Sequence, residues 1–300
     1  MKIGIIGGGS IGLLFSCYLG KIHEVTLYVR NGKQKEKIES EGIVIYKGNE
    51  EHRISVNAEH ISAWGEKNEQ LTIVCVKQYD LEKLFENRNI KDHPLLFVQN
   101  GMGHLKLLEQ LPVSTILVGT VEHGALKAGL NSVRHTGEGK TNIALFRGRD
   151  KDFVERFISP FSSSFPFQLE EDYWEMLVNK LVVNALINPL TAILRTENGN
   201  LVENPHYFQI MKNMFIEVKD ILQLEHPDKY FENAVRVCRK TAKNRSSMLK
   251  DLDDNRQTEI DAILGFLLDE GKKKQIGAPI LQTCYEMVKG RELEGKEMQK

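Results

Sequence analysis

The sequence predicts two domains, a doubly wound α/β sheet followed by an all-helical region, and three observations predict it. A glycine turn, Gly7-Gly8-Gly9-Ser10-Ile11-Gly12, follows the apolar run 3–6 and opens into the apolar stretch 11–19. Short β-rich runs then alternate with helical or turn segments, and after Pro166 the apolar spacing becomes helical and stays so. The chain has 300 residues, enough for two cores, and the change of character near residues 166–172 sets domains of 1–168 and 169–300.

Strand candidates in the first domain are 3–6, 25–29, 71–76, 95–98 and 115–119, separated by crossover lengths that favour a mostly parallel sheet. The runs 43–46 and 53–56, joined by Lys47-Gly48-Asn49-Glu50, read as a hairpin inserted into that sheet. The later runs 133–135 and 143–146 are expected to extend its edge. In the second domain Asp172 has the place of an N-cap, with Glu175 at the capping-box position. Helical segments are expected at 173–194, 205–225, 229–249, 257–271 and 278–289, and the highly charged tail 291–300 is expected to fray.

The glycine turn fits Gly-x-Gly-x-x-Gly in the strand-to-helix setting that gives the pattern its chemistry. Gly7 permits the tight turn, Gly9 lets the backbone approach a pyrophosphate and Gly12 allows helix to pack closely on strand. The N–H groups that open the helix then hold phosphates, so a Rossmann-type domain and a dinucleotide ligand are expected. A protein using NAD would place Asp or Glu near the end of the second strand to bind the ribose 2′-hydroxyl. This chain has Arg30-Asn31-Gly32-Lys33 there, and a guanidinium matches a 2′-phosphate, so NADPH is favoured over a merely solvated loop arginine.

Composition narrows the class further. Forty Lys and Arg against 41 Asp and Glu leave a formal charge of -1, with no basic block of the kind that nucleic acid requires. Cys17, Cys75, Cys238 and Cys284 are far apart and show no Cys-x-x-Cys spacing, which predicts reduced thiols and no zinc site. Neither a signal-peptide pattern nor a run of about 18 apolar residues is visible, so no membrane partner and a cytoplasmic location are expected. The apolar helical faces can pack within the chain or against a second copy, which leaves a homodimer open.

Lys180, Asn184 and Asn188 recur every four residues among apolar neighbours, so their side chains share an arc of about 80° on one helix. They form either a polar strip in buried surface or an exposed face of a core helix. Pro189 is expected to interrupt that helix and Asn198-Gly199-Asn200 to form a turn. Ser246-Ser247 and Glu259 make a second cluster. On one straight helix Ser247 and Glu259 would stand about 18 Å apart, so 251–255 is read as a break that folds the two together. Otherwise Ser247 merely ends a helix and Glu259 occupies the first turn of the next.

These residues together resemble the ketopantoate reductase (2-dehydropantoate 2-reductase) family over the whole chain. The resemblance rests on the glycine turn, on Val98-Gln99-Asn100-Gly101-Met102-Gly103, on Asn179-Lys180-Leu181-Val182-Val183-Asn184, on Ile187-Asn188-Pro189-Leu190-Thr191-Ala192, on Glu197-Asn198-Gly199, and on Ser246-Ser247-Met248-Leu249 with Thr258-Glu259-Ile260-Asp261. It implies NADPH-dependent reduction of ketopantoate to pantoate, for pantothenate and coenzyme A synthesis. It implies further that Lys180 protonates the ketone oxygen, and that Asn184, Asn188, Asn198 and Ser247 bind substrate. Asn100 would stand where cofactor and substrate meet. Arg30 and Lys77 would hold the adenosine phosphate, and Gly124 would offer backbone to the cofactor, on a looser local match. Glu259 matches an active-site glutamate whose partner, nicotinamide ribose, substrate or lysine, the sequence leaves open. Gly8 and Ser10 stand where many members carry alanine.

The chemistry of these residue types agrees. Hydride addition to a 2-keto acid creates an alkoxide, and a lysine supplies both a cation and a transferable proton where that charge develops. Amides and a hydroxyl bind the substrate's carboxylate and distal hydroxyl, and no metal is needed because the nicotinamide carries the hydride. Two other readings share these features: a reductase of another short 2-keto acid, and a non-enzymatic NADPH-responsive binding protein.

Overall fold

The structure is a computed structural model that describes residues 1–86, 90–161 and 165–297. Its strands are β1 (Lys2–Ile6), β2 (Glu24–Val29), β3 (Ile43–Lys47), β4 (Glu50–Ile54), β5 (Asn57–His60), β6 (Leu71–Val74), β7 (Leu95–Phe97), β8 (Ile116–Val121), β9 (Gly124–Lys127), β10 (Ser132–Gly137), β11 (Thr141–Arg147) and β12 (Phe167–Leu169). Its helices are α1 (Ser10–Leu19), α2 (Gly32–Glu41), α3 (Leu81–Phe85), α4 (Leu105–Gln110), α5 (Lys151–Ile158), α6 (Tyr173–Leu194), α7 (Asn200–Glu203), α8 (Pro205–Leu222), α9 (Pro227–Lys240), α10 (Ser247–Asp253), α11 (Phe266–Lys274) and α12 (Pro279–Glu297).

Two compact units result, one of residues 1–99 and 106–176, the other of 100–105 and 177–300. The division therefore falls inside α6 rather than at residue 168, and the short segment 100–105 joins the helical unit. In the first unit the main sheet has the order β12-β11-β8-β7-β6-β1-β2-β5. From β5 through β8 every pairing is parallel, and β11 then runs antiparallel to β8. Numbered among themselves, the six parallel strands stand in the order 3-2-1-4-5-6 of a dinucleotide-binding sheet, the Rossmann-type arrangement. Residues 3–6 of β1 are fully buried, as a strand covered on both faces must be.

The hairpin of β3 and β4 lies outside that sheet, contrary to the sequence expectation. It forms a separate four-stranded sheet of order β4-β3-β10-β9 because β3 pairs in parallel with β10, Val44 opposite Ser132. The run at 133–135 consequently extends this second sheet, while β11 does extend the first. Helix α1 packs against β1 and β2 of the main sheet and against β3, β9 and β10 of the other. Burial on both sides explains why Gly12 through Leu19 are all enclosed, and why α1 is apolar all round. Below it, Tyr18 stacks on Phe165 with ring centroids 4.3 Å apart, and His123 stacks on the same phenylalanine at 4.1 Å.

His123 and His135 are buried beside this aromatic cluster, and Tyr18 Oη lies 2.8 Å from His135 Nδ1. Burial first, then the nearby His135, pushes the His123 imidazole from 6.5 down to about 4. The folded chain thus refuses a proton that the unfolded chain accepts below pH 6.5, and stability should fall as pH drops from there toward 4. The loss attributable to His123 is at most about 3 kcal/mol. Urea melts of the parent and His123→Gln between pH 7 and 4.5 should give a shallower slope for the variant. It will not vanish, because burial also lowers His104 and His135. Equal slopes would mean that His123 titrates alike in both states.

In the helical unit the segment expected at 229–249 is two helices, α9 and α10. The break expected at 251–255 comes later, since α10 continues to Asp253. There Arg195 and Arg245 both pair with Asp253, and Arg256 pairs with Asp251 and Asp254, so alternating charge sustains a last turn that composition alone marks as loop. Residues 291–297 are helical rather than frayed, and residues 298–300 of the expected tail lie outside the described ones. Helix α6 runs through Pro189 to Leu194, five residues beyond the expected interruption, and Asp172 caps it by accepting from the N–H groups of Trp174 at 2.7 Å and Glu175 at 3.2 Å. By length and hydropathy α6 alone among the described helices could cross a membrane, but 78% of its apolar window is buried within the protein, as befits a core helix. The four cysteines are free thiols, and burial pushes that of Cys17 up to about 12, which keeps it inert.

Candidate active site

In the first unit the candidate binding element is the turn between β1 and α1. Gly7 has φ +109°, and a Cβ on Gly12 would stand 1.8 Å from the Gly7 carbonyl oxygen, so glycine is required at both positions by the sharpness of the turn. At Gly9 a Cβ would meet nothing within 4 Å, so the space in front of the helix N-terminus is open. Gly9 is also the N-cap, and having no side chain it leaves the N–H groups of the first turn to an outside acceptor. Ser10 Oγ accepts from the Lys127 N–H at 3.1 Å. Ile11 is half-buried and packs against the hydrophobic core.

Two residues that the sequence reading passed over hold this turn in place. Gln34 Nε2 donates to the carbonyls of Gly8 at 2.9 Å and Leu130 at 2.6 Å, and Lys127 Nζ donates to the same Gly8 carbonyl at 2.8 Å. Asn31, the N-cap of α2, holds Gln34 in turn, its side chain accepting from the Gln34 N–H at 3.1 Å. Arg30, directly after β2, is 80% exposed at its side chain and sits 3.3 Å from Asp80. Asp80 ends the short 3₁₀ turn that Lys77 caps, so Arg30 and Lys77 both lie just beyond the carboxyl ends of the strands that flank β1. At Gly124 a Cβ would stand 2.7 Å from Thr136 Oγ1 and 2.9 Å from the Gly137 nitrogen, so close approach of β10 already accounts for that glycine.

A separate polar cluster lies in the helical unit. Lys180, Asn184 and Asn188 occupy successive turns of one face of α6, with Lys180 half-buried and both asparagines buried. Asn100 meets this face from the segment 100–105: its Oδ1 is 3.5 Å from Asn184 Nδ2, and its Nδ2 donates to Glu259 Oε2 at 2.9 Å. Glu259 is buried immediately before a π-helical turn, Asp261–Gly265. That turn fixes Asn100 from below, since the Met102 N–H donates to the Ala262 carbonyl at 3.2 Å. Gly101 has φ +78°, and a Cβ there would stand 2.1 Å from the same oxygen. Single π turns often mark functional sites, and this one places a backbone carbonyl where a regular helix would not.

The remaining candidates stand at the far end of α6. Ser247 is exposed in the first turn of α10, and the N-cap is its neighbour Ser246, whose Oγ accepts from the Leu249 N–H at 3.1 Å. Thr191 Oγ1 contacts Ser246 Oγ at 2.8 Å and the Asn188 carbonyl at 3.1 Å, which ties the start of α10 to the Asn188 turn. Asn198 is buried, with Nδ2 donating to Thr241 Oγ1 at 2.8 Å, while its Oδ1 has no hydrogen-bond partner. Such an orphaned buried acceptor is costly and fits a ligand donor. The structure thus joins Asn100, Asn184 and Glu259 directly and ranges Lys180 and Asn188 along the same helix face. It shows no bond from Asn198 or Ser247 to that cluster. Among the described residues no group of three His, Cys, Asp or Glu could hold a metal ion.

Family models match both parts of the chain. Residues 3–148 match the model of ketopantoate reductase PanE/ApbA, and residues 172–292 match the model of its C-terminal region. The 2-dehydropantoate 2-reductase of Bacillus subtilis (strain 168) is 42% identical over 97% of this chain and 98% of its own. That of Listeria innocua is 34% identical, with 97% of each chain covered. A crystal structure of the probable enzyme from Bacillus subtilis superposes with a TM-score of 0.90 at 42% identity, over 97% of this chain and 100% of that one. D-mandelate dehydrogenase in complex with NADH and anilino(oxo)acetate reaches a TM-score of 0.91 over 99% of each chain, but at 22% identity it speaks for the fold alone. With models covering both halves and a relative this similar along its full length, the chain belongs to the ketopantoate reductase family.

Proposed function

We propose that this protein reduces 2-dehydropantoate (ketopantoate) to pantoate with NADPH, the step that supplies pantoate for pantothenate (vitamin B5) and coenzyme A synthesis. The observation that carries the reading is the bonded cluster of Asn100, Glu259 and Asn184 one turn from Lys180 on α6. It sets a half-buried and a buried amide one turn from an amine, donors that suit a small anionic keto acid, with the Glu259 carboxylate engaged by the Asn100 amide. The name borne by the 42%-identical relative supports the substrate.

In this reading the unit of residues 1–99 and 106–176 binds cofactor and that of 100–105 and 177–300 binds substrate, with Asn100 serving both ligands. The backbone of Gly7 to Gly12 would hold the diphosphate at the α1 N-terminus, which the open space at Gly9 suits. Arg30 and Lys77 would hold the 2′-phosphate, and Gly124 would border the same ligand. When bound, NADPH would supply the hydride for the 2-keto carbon. Lys180 Nζ gives a proton to the carbonyl oxygen as negative charge develops there, and then recovers one from solvent. Asn184, Asn188, Asn198 and Ser247 bind the carboxylate and hydroxyl, and Glu259, through Asn100, orients the amide. No metal, nucleic acid or membrane enters this scheme. A cytoplasmic location and assembly as a homodimer belong to the same proposal.

NADPH oxidation followed at 340 nm tests it, with ketopantoate against 2-oxoisovalerate, which lacks the distal hydroxymethyl group. A site built to hydrogen-bond that hydroxyl should favour ketopantoate by 10-fold or more, on the order of 1.5 kcal/mol. Equal use of both would move the assignment to another short 2-keto acid, and NADPH binding without turnover of either would make the protein a sensor.

A further inference from the structure

The C-terminal helix α12 ends in a strongly charged stretch, yet Glu292 within it is only 5% exposed. Its Oε1 accepts two hydrogen bonds from Thr258, from the backbone N–H at 2.8 Å and from Oγ1 at 2.6 Å. Its Oε2 lies 3.3 Å from Lys289 Nζ. Thr258 Oγ1 accepts in turn from the Ile260 N–H at 3.2 Å, so the threonine hydroxyl links Glu292 to both sides of Glu259. Beyond it, Asp261 accepts from Tyr285 Oη at 2.6 Å and pairs with Lys289 at 3.0 Å, both from α12. Glu259 therefore sits in a segment held on either side by one helix. A carboxylate is an expensive residue to bury for helix docking alone, because its lone pairs must all be filled. Charge-assisted bonds from one peptide N–H and one hydroxyl fix a backbone more tightly than neutral ones would.

We infer that Glu292 is a positioning residue for Glu259: by clamping Thr258 it fixes the backbone from which the Glu259 carboxylate meets Asn100, and so sets the geometry of the Asn100, Asn184 and Glu259 cluster. The inference rests on the reading of that cluster as the keto-acid site.

Glu292→Ala in the full chain should lower kcat/KM for ketopantoate about 10- to 100-fold, the usual cost of a small misplacement, while NADPH affinity stays within about twofold. Glu292→Gln, which keeps an oxygen acceptor for both Thr258 donors, should recover most of the loss. In the Glu259→Gln background Glu292→Ala should cost no more than about a further twofold, because a residue acting through Glu259 has nothing left to position. Losses that multiply in the double variant, or a Glu292→Ala enzyme within about twofold of the parent, would overturn the inference. Should Glu292→Ala not fold, Thr258→Val removes one clamp donor and must show the same non-additivity with Glu259→Gln. Amide exchange across residues 256–263, faster by about tenfold in whichever variant folds, reads the clamp independently of turnover, and unchanged exchange refutes it. The parent's own turnover of ketopantoate decides the functional reading separately.

Discussion

Lys180→Ala should lower kcat for ketopantoate by about 10²- to 10⁴-fold, the range expected for losing a general acid, and leave the NADPH dissociation constant nearly unchanged. The split follows from position. Lys180 lies on α6 in the helical unit, whereas the glycine turn and Arg30 belong to the other. It also follows from timing, because an ammonium that gives its proton to the carbonyl oxygen interacts most strongly once that oxygen carries charge. Arginine should rescue poorly: it keeps the charge, but its planar head is bulkier and its pKa above about 12 holds the proton. Asn184→Ala should instead raise KM more than it lowers kcat, since the amide binds ground and transition states alike. A folded Lys180→Ala enzyme with kcat within a factor of two of the parent, and with chemistry shown to be rate-limiting, would remove the acid role.

What the sequence held of this site was what one helix could display. Lys180, Asn184 and Asn188 follow one another at intervals of four, and helical geometry alone puts them on one face. The meeting of Asn100 with Glu259 spans 159 residues of chain and could be approached only by resemblance. The π turn that makes it possible leaves no mark in composition, and neither does the contact of Gly101 with the Ala262 carbonyl. Glu292 was obscured for a plain reason. It stands in a run that reads as solvated tail, and only its two bonds to Thr258 show that the run turns one carboxylate inward.

The fold divides in the same way. Helix α1 and five of the six parallel strands were legible, because a buried parallel strand is a short continuous apolar run. Strand β5, Asn-Ala-Glu-His, escaped notice because an edge strand with one buried residue has neither apolar continuity nor a full alternation. The hairpin of β3 and β4 was visible as a hairpin, but its sheet was decided by the pairing with β10 nearly ninety residues away, where Val44 stands opposite Ser132. Local pattern specifies an element, whereas its neighbours depend on which other segment completes its hydrogen bonds.

Arg30→Glu should weaken the use of NADPH far more than that of NADH. Losing a charge-assisted bond to the 2′-phosphate and adding a repulsion should cost on the order of 2 to 4 kcal/mol, or about 30- to 10³-fold in kcat/KM. The side chain is largely exposed, so solvent screening favours the lower part of that range, and raising the ionic strength should shrink the effect. Asp80 sharpens the test. It pairs with Arg30 at 3.3 Å, so a bound phosphate must compete with a carboxylate for the same guanidinium. Asp80→Asn should therefore improve NADPH affinity, whereas in Arg30→Glu the same Asp80 adds to the repulsion. NADH has no 2′-phosphate to lose, and its affinity should change little with either substitution. Equal losses with both cofactors in Arg30→Glu would show that Arg30 supports the loop after β2 and does not read the phosphate.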